Sequence, residues 1–306
     1  MRTIYAIVTL LLLSSHSFAQ TCTVSMGSIA FGSVNTLTGT AVDTTATMTI
    51  TCSGGSGNSR RVCISIGAGS ASDATSRKMT GPGGGTARFD LYSDSARTAL
   101  WGSWETGYDS AGVQLDVNKS STTNVTVYGR FFGSQQTIAT GSYTATFTAN
   151  PFIRYGNLGS ASCPTGGLTS STSFSATATV ASTCNVSATT VNFGAQGILA
   201  GNKDAQGTLS IQCSPSLPYT VSLNGGSSGA TDPTQRKMSF SGANVTYGLY
   251  RDSARSLPWG STIGTNTASG NGTGVTQTQT VYGRVPSQTT PKPGTYTDSV
   301  IATVGY

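Results

Sequence analysis

Cysteine has the most reactive side chain among the residue types that occur several times in this sequence. The spacing of the cysteines limits the chemistry that they could perform. The six cysteines are Cys22, Cys52, Cys63, Cys163, Cys184 and Cys213. No two of them form a Cys-x-x-Cys pair, which is typical of zinc and redox sites. An even number of cysteines in an exported chain favours structural disulfides. We therefore expect disulfide bonds and no metal site.

Histidine and the carboxylates offer no catalytic group. The one histidine, His16, lies in a segment that we expect to be removed, so the mature chain would lack Ser-His and Cys-His dyads. The one glutamate is Glu105. Asp94 and Asp252 stand in a repeated Asp-Ser-Ala-Arg turn, where a carboxylate is typical of a turn cap. We expect no enzyme activity and no cofactor.

The charge balance argues against nucleic acid as a partner. Charged residues make up 9% of the 306 residues, and the formal net charge is +6. This charge is small for the length of the chain, and the basic residues are scattered along it. A site for the phosphate backbone needs a basic patch, so we expect no nucleic-acid partner.

The N-terminal segment predicts export. Arg2 gives it a positive start, residues 4–13 are almost wholly apolar, and Ser17 and Ala19 supply small residues before a cleavage site. This pattern is typical of a signal peptide, which we place at residues 1–19. No later run approaches the ~20 apolar residues of a membrane helix. We therefore expect a soluble product outside the cytoplasm.

The rest of the chain is a tandem repeat. Matching motifs occur at 30–32 and 192–194, 77–79 and 236–238, 91–97 and 249–255, 101–103 and 259–261, 127–130 and 281–284, and 141–144 and 294–297. Two repeats of this length predict two domains and not a solenoid. We place the first domain at 20–166 and the second at 182–306, with residues 167–181 between them.

The repeat also predicts the cysteine pairing. Each half has two cysteines about 30 residues apart at matching positions, which pairs Cys22 with Cys52 and Cys184 with Cys213. Each of these bonds would tie the first strand of its domain to the second strand. Cys63 and Cys163 remain, and we pair them with each other.

The residue pattern predicts an all-β fold. Apolar residues alternate with polar ones in short runs, and glycine and serine clusters interrupt the runs, for example at residues 54–57 and 225–226. Many short strands with regular turns are typical of β-sandwiches. We expect two tandem immunoglobulin-like sandwiches.

Two strands have no obvious partner. The chain stops inside an alternating run, at residues 300–306. Another such run, Phe174–Val180, precedes Cys184, whereas no equivalent run precedes Cys22 in the mature chain. Phe174–Val180 is either the first strand of the second domain or a strand that completes the first domain, and both interpretations stay open.

The combined motif pattern, present twice, resembles the spore coat protein U domain family. That family includes subunits of archaic, Csu-type chaperone–usher pili. A chain with two such domains resembles the tip adhesin, which has an N-terminal receptor domain and a C-terminal pilin domain. The resemblance covers nearly all of the mature chain. It implies pilin-type sandwiches, with a C-terminal domain that lacks its last strand.

The resemblance also implies partners. A periplasmic pilus chaperone would occupy the open groove of the C-terminal domain first. At the outer-membrane usher, the N-terminal donor strand of the adjacent pilin would replace it by β-strand addition. The last strand would form the edge of the acceptor groove, through Val300, Ala302, Val304 and Tyr306. A subunit that accepts a strand but donates none would sit at the pilus tip, on the cell surface.

Bulky residues where the repeat is broken predict a contact surface. They lie after the shared Trp-Gly-Ser and Tyr-Gly-Arg motifs and in a stretch near residue 152 without an obvious counterpart: Trp104, Tyr108, Phe131, Phe132, Phe152 and Ile153. Exposed apolar loops are typical of binding sites. Because Csu-type tips are similar in using apolar loops, the expected ligand is a hydrophobic surface or an unknown receptor. Trp101 and Trp259 recur in both halves and are expected in the cores.

The expected function is therefore a tip adhesin that mediates surface attachment and biofilm formation. One alternative is a structural spore-coat or pilus subunit without its own receptor. Another is a secreted carbohydrate-binding protein, in which Trp104 and Tyr108 would stack on sugars. All three are binding or structural roles and none is catalytic.

Overall fold

The computed structural model describes residues 21–54, 59–73, 75–104, 108, 111–118, 120–157, 163 and 168–306. The expected signal peptide, 1–19, lies outside these described residues. Within them, no helix has both the length and the apolar character needed to cross a membrane. Strands make up nearly all of the regular structure, which confirms the all-β prediction.

The strands of the first domain form two layers. They are β1 (Thr21–Met26), β2 (Ile29–Val34), β3 (Val42–Ser53), β4 (Ser59–Ser65), β5 (Arg77–Thr80), β6 (Thr86–Tyr92), β7 (Val113–Asn118), β8 (Thr122–Phe131), β9 (Gly141–Phe147), β10 (Phe152–Asn157), β11 (Leu168–Ser171) and β12 (Phe174–Val180). One sheet has the order β1-β3-β8-β6-β5-β9-β12-β2, and the other has β11-β10-β4-β7. A single bridge, from Thr80 to Thr144, joins β5 to β9.

The second domain repeats this architecture with fewer strands. They are β13 (Cys184–Ala188), β14 (Lys203–Cys213), β15 (Pro218–Leu223), β16 (Arg236–Phe240), β17 (Ala243–Tyr250), β18 (Ala268–Asn271), β19 (Gln277–Val285) and β20 (Ala302–Gly305). The sheet β13-β14-β19-β17-β16 corresponds to β1-β3-β8-β6-β5. The sheet β18-β15-β20 corresponds to β7-β4-β10. Two tandem sandwiches are therefore confirmed.

A buried tryptophan fixes the correspondence between the domains. Trp101 and Trp259 are fully buried. The indole Nε1 of Trp101 donates to the carbonyl oxygen of Ile64 at 3.2 Å, and that of Trp259 donates to Val221 at 2.9 Å. Since buried indole N–H groups need an acceptor, each tryptophan is anchored to a strand of the smaller sheet, β4 or β15. The expectation that both are core residues is confirmed.

The described structure decides where Phe174–Val180 belongs. This strand, β12, pairs antiparallel with β9, with Ala176 opposite Ala145, and it pairs parallel with β2. Its alternate side chains point into the first core and are buried. The ring of Phe174 stacks on that of Phe147, with 4.2 Å between centroids. The run therefore completes the first domain and is not a strand of the second.

The connection between the domains is short and hydrogen-bonded on both sides. The amide of Ala181 donates to the carbonyl of Val34 in the first domain. The amide of Thr183 donates to Ser214 Oγ in the second domain, and its hydroxyl donates to Asn35 Oδ1 in the first. The segment that connects β12 to β13 is thus hydrogen-bonded to both domains.

The disulfide pairing matches the prediction. Cys22 bonds to Cys52, Cys63 to Cys163 and Cys184 to Cys213. The first and third bonds join residues that face each other in register, between β1 and β3 and between β13 and β14. Each domain therefore has the same covalent tie at the edge of its larger sheet.

Replacing Phe174 by Ala should destabilise the first domain. The change removes a buried ring that stacks on Phe147, and such truncations cost about 3–5 kcal/mol. Urea denaturation of the full chain, with each domain's transition followed separately, measures the loss. Thr179→Ser, at an exposed position of the same strand, is the matched control and should change stability by under about 1 kcal/mol. Equal losses in both variants, or a loss confined to the second domain, would contradict the assignment of β12.

Candidate functional site: an acceptor groove and an aromatic loop

The second domain has no counterpart of β12 within the part of the chain that the structure describes. Motif matching places residues 191–194 at the position of β2 and residues 294–300 at that of β9. The bridge between Ser239 and Thr297 repeats the one between Thr80 and Thr144. No described strand lies between these two segments. We call the space between them the acceptor groove.

The acceptor groove is lined by apolar side chains that are only partly buried. Five positions face this space in both domains. In the first domain β12 covers them and they are buried: Ile29, Phe31, Met79, Tyr143 and Phe147. In the second domain their counterparts are partly buried: Val191, Phe193, Met238, Tyr296 and Val300. The second core thus keeps apolar area that an additional strand would remove from water.

The last strand, β20, pairs with β15 and does not lie between residues 191–194 and 294–300, so its role as an edge of the groove stays a prediction. Val304 on β20 lies opposite Val221 on β15, as Ile153 on β10 lies opposite Ile64 on β4. Val300, Ala302 and Val304 pack against the second core and remain partly buried. Tyr306 is 62% exposed. In the first domain β11 pairs with the outer edge of β10, whereas no described strand pairs with that edge of β20.

The positions of Phe152 and Ile153 correct part of the prediction for the contact surface. Both lie on β10, which has a counterpart in β20, so the expectation that this stretch is unique to the first domain is wrong. Ile153 is fully buried, and the guanidinium of Arg154 lies over the partly buried Phe152 ring at 5.3 Å. The sequence did not show this correspondence because the matching motifs ended before β10.

Tyr108 is also not an exposed contact residue. It is 4% exposed, and its hydroxyl donates to Asp90 Oδ2 at 2.6 Å. The fully buried Arg77 donates to Asp90 Oδ1 at 2.6 Å, and its guanidinium lies 3.9 Å from the centre of the Tyr108 ring. Burial lowers the pKa of Arg77, which the neighbouring Asp90 opposes. Burial, together with the bond to Asp90, raises the pKa of Tyr108.

The remaining predicted contact residues differ in exposure. Phe131 is buried and packs edge-on against Phe31, with 6.0 Å between ring centroids. Phe132 is partly exposed, and the guanidinium of Arg88 lies 5.8 Å from its ring. Trp104 is 41% exposed, and a Cβ atom at Gly112 would lie 2.6 Å from its ring. Trp104 and Phe132 therefore keep accessible aromatic surface, whereas Phe131 belongs to the core.

Sequence reasoning missed a polar pair in the acceptor groove. The hydroxyl of Tyr247 donates to Asp298 Oδ2 at 2.7 Å. Burial raises the pKa of Tyr247, and the bond to Asp298 adds to this effect. The repeat alignment contained a signal, because Asp298 follows the Gly-x-Tyr-Thr motif at the position where the first domain has Ala145.

The geometry is that of two tandem pilin-type sandwiches, the first of which is completed by β12. The family model of the Spore Coat Protein U domain matches residues 8–150 and 170–303. The chain therefore belongs to the spore coat protein U domain family. Within the described residues, no group of three His, Cys, Asp or Glu side chains is placed to hold a metal ion.

Two relatives extend this comparison. Protein U of Myxococcus xanthus is 33% identical over 106 residues, which are 33% of this chain and 59% of that protein. The match thus spans less than two thirds of the relative. A chain in the CsuC–CsuE chaperone–tip adhesion subunit pre-assembly complex of the archaic chaperone–usher Csu pili of Acinetobacter baumannii has a TM-score of 0.55. The alignment covers 94% of this chain and 100% of that chain at 18% identity, so the similarity concerns the fold.

Replacing Asp90 by Ala should destabilise the first domain strongly. The change leaves the guanidinium of Arg77 buried without its carboxylate, and breaking a buried pair in this way costs about 3–5 kcal/mol. Asp116→Ala, which removes an exposed ion pair with Arg61, is the control and should cost under about 1 kcal/mol. Urea denaturation compares the two variants. Similar losses of stability would show that the buried cluster of Arg77, Asp90 and Tyr108 contributes no more to the stability of the domain than an exposed ion pair does.

Proposed function

We propose that the protein is the tip adhesin of an archaic chaperone–usher pilus and mediates surface attachment and biofilm formation. The observation that carries the proposal is the contrast between the domains. In the first domain β12 covers the apolar side chains between β2 and β9. In the second domain the matching side chains line the acceptor groove and are only partly buried.

This contrast supports completion of the second domain by a strand from another chain. A strand in the acceptor groove would pair with backbone on both sides, as β12 does, and would insert alternate apolar side chains into the second core. We propose that a periplasmic chaperone supplies this strand first. The N-terminal donor strand of the adjacent pilin then replaces it at the outer-membrane usher, and the subunit reaches the cell surface.

The first domain is the proposed receptor domain. Its place for an additional strand is filled by its own β12, so it needs no neighbour for completion. Trp104 and Phe132 keep accessible aromatic surface, and such residues contribute much of the energy at interfaces. We propose that they contact a hydrophobic surface. The burial of Tyr108 removes one of the two rings that the carbohydrate-binding alternative requires.

An appended donor strand should stabilise the second domain. The full chain would carry, after a flexible linker at its C-terminus, a copy of residues 168–181, the segment that contains β11 and β12. Because the copy would cover the groove side chains, the melting temperature of the second domain should rise by on the order of 10 °C. A copy with Pro in place of Thr177 cannot complete the backbone ladder and is the control. An unchanged melting temperature both with the unmodified copy and with its Ala176→Ser form would refute strand acceptance.

Replacing Trp104 or Phe132 by Ala should weaken attachment to a hydrophobic surface without unfolding the protein. Loss of a central aromatic contact lowers affinity by at least about tenfold. Ile263→Ala is the matched control, because Ile263 is exposed in the loop that follows the equivalent Trp-Gly-Ser motif of the second domain. Adsorption to polystyrene beads measures attachment, and thermal melting monitors the fold. If the Ile263 variant loses as much attachment, or neither aromatic variant loses any, the first domain does not carry the receptor surface.

A further inference from the structure

The acceptor groove contains a carboxylate at a position where the first domain has alanine. Asp298 corresponds to Ala145 by the shared Gly-x-Tyr-Thr motif that precedes both. The backbone agrees with this alignment, since Thr297 bridges to Ser239 as Thr144 bridges to Thr80. The two residues therefore occupy equivalent places beside the path of an inserted strand.

In the first domain this position faces the inserted strand directly. Ala145 lies opposite Ala176 of β12 in the antiparallel register, and both side chains are fully buried. Residues that face each other in this way have Cβ atoms about 4.5–5.5 Å apart. A strand that entered the acceptor groove in the same register would place one side chain directly opposite Asp298.

A second polar replacement accompanies Asp298. Tyr247, whose hydroxyl donates to Asp298 Oδ2, stands at the position of the fully buried Phe89. Both residues are paired in register with the buried arginine of their domain, Arg77 or Arg236. Where the first domain has the apolar pair Ala145 and Phe89, the second domain thus has a hydrogen-bonded carboxylate and phenol.

The carboxylate of Asp298 has capacity for one more donor. Its Oδ1 accepts from the amides of Ser227 at 2.7 Å and Ser299 at 2.8 Å, and its Oδ2 accepts from Tyr247. A carboxylate has about four acceptor positions, so one remains on Oδ2. Asp298 is partly exposed, and an inserted strand would cover it.

From this geometry we propose that Asp298 selects the partner strand by the side chain opposite it. The preferred donor strand carries a hydroxyl group there, on Ser or Thr, whereas its other inward positions are apolar. Burying the carboxylate against an apolar side chain leaves an acceptor without a partner, which is costly. The proposal rests on the proposed function, because it requires that the second domain accept a strand.

The same selection disfavours the chain's own strand. β12 presents Ala176 at this position, which suits Ala145 in the first domain but supplies no hydrogen to Asp298. The acceptor groove of one molecule would therefore discriminate against the β12 segment of another copy. This property reduces self-association and favours a different subunit as the donor.

Two peptides and the full chain test the proposal. One peptide has the sequence of residues 168–181, and the other differs from it only by Ala176→Ser. Fluorescence anisotropy measures the Kd of each labelled peptide. The serine peptide should bind the wild-type chain at least about tenfold more tightly, since a hydrogen bond to a charged group is worth that much or more. Equal Kd values would overturn the proposal.

Three variants separate selection from a structural role of Asp298. The double variant Asp298→Ala with Tyr247→Phe introduces the Ala and Phe side chains that the first domain has at these positions. It should bind both peptides equally. Tyr247→Phe alone frees an acceptor position on Oδ2 and should increase the preference for serine. Asp232→Ala removes another carboxylate near Arg236 and should leave the preference unchanged.

The possible failures are distinguishable. If Asp298 only offsets the charge of Arg236, the double variant keeps the same ratio of Kd values as the wild type, and the proposal is wrong while strand acceptance stands. If neither peptide binds the wild-type chain and the appended strand also gives no stabilisation, the acceptor groove takes no strand. The proposed function then fails together with this inference.

Discussion

The unsatisfied edge of a β-sheet is the constraint on which this structure depends. Backbone N–H and C=O groups beside a core must be paired, and the apolar face behind them must be covered. The first domain meets both requirements with β12, which lies between β2 and β9. The second domain has the same two flanking segments without such a strand among the described residues. At this place in the fold the two domains therefore differ by one strand.

The two domains also solve one electrostatic problem in different ways. Each buries an arginine, Arg77 or Arg236, that donates to the carbonyl of its core tryptophan. In the first domain Asp90 bonds directly to that arginine. In the second domain Gly248 takes the place of Asp90 by the repeat alignment. There the guanidinium of Arg236 donates to four backbone carbonyls, and Asp298 and Asp232 act on it through space. Charge balance in the second core therefore involves a residue that borders the acceptor groove.

Much of the fold could be predicted from the sequence, because the repeat compares the chain with itself. Alternation predicted the strands. The repeat predicted two of the three disulfides, and the third was assigned to the two cysteines that remained. Long-range pairing was not predictable: periodicity describes Phe174–Val180 as a strand but does not choose its neighbours. Tyr108 was predicted as exposed because its partners Arg77 and Asp90 are distant in sequence. Ile153 was assigned to a unique stretch because motif matching ended before β10.

The continuity of β12 with β13 has a mechanical consequence. Tension applied to the second domain reaches the first through residues 181–183 and then acts along the axis of β12. The hydrogen bonds of β12 to β9 and β2 lie across that axis, so they resist the load together and do not open one after another. Because β12 belongs to the same chain as both domains, it therefore also connects the first domain to the second through hydrogen bonds that are loaded in shear.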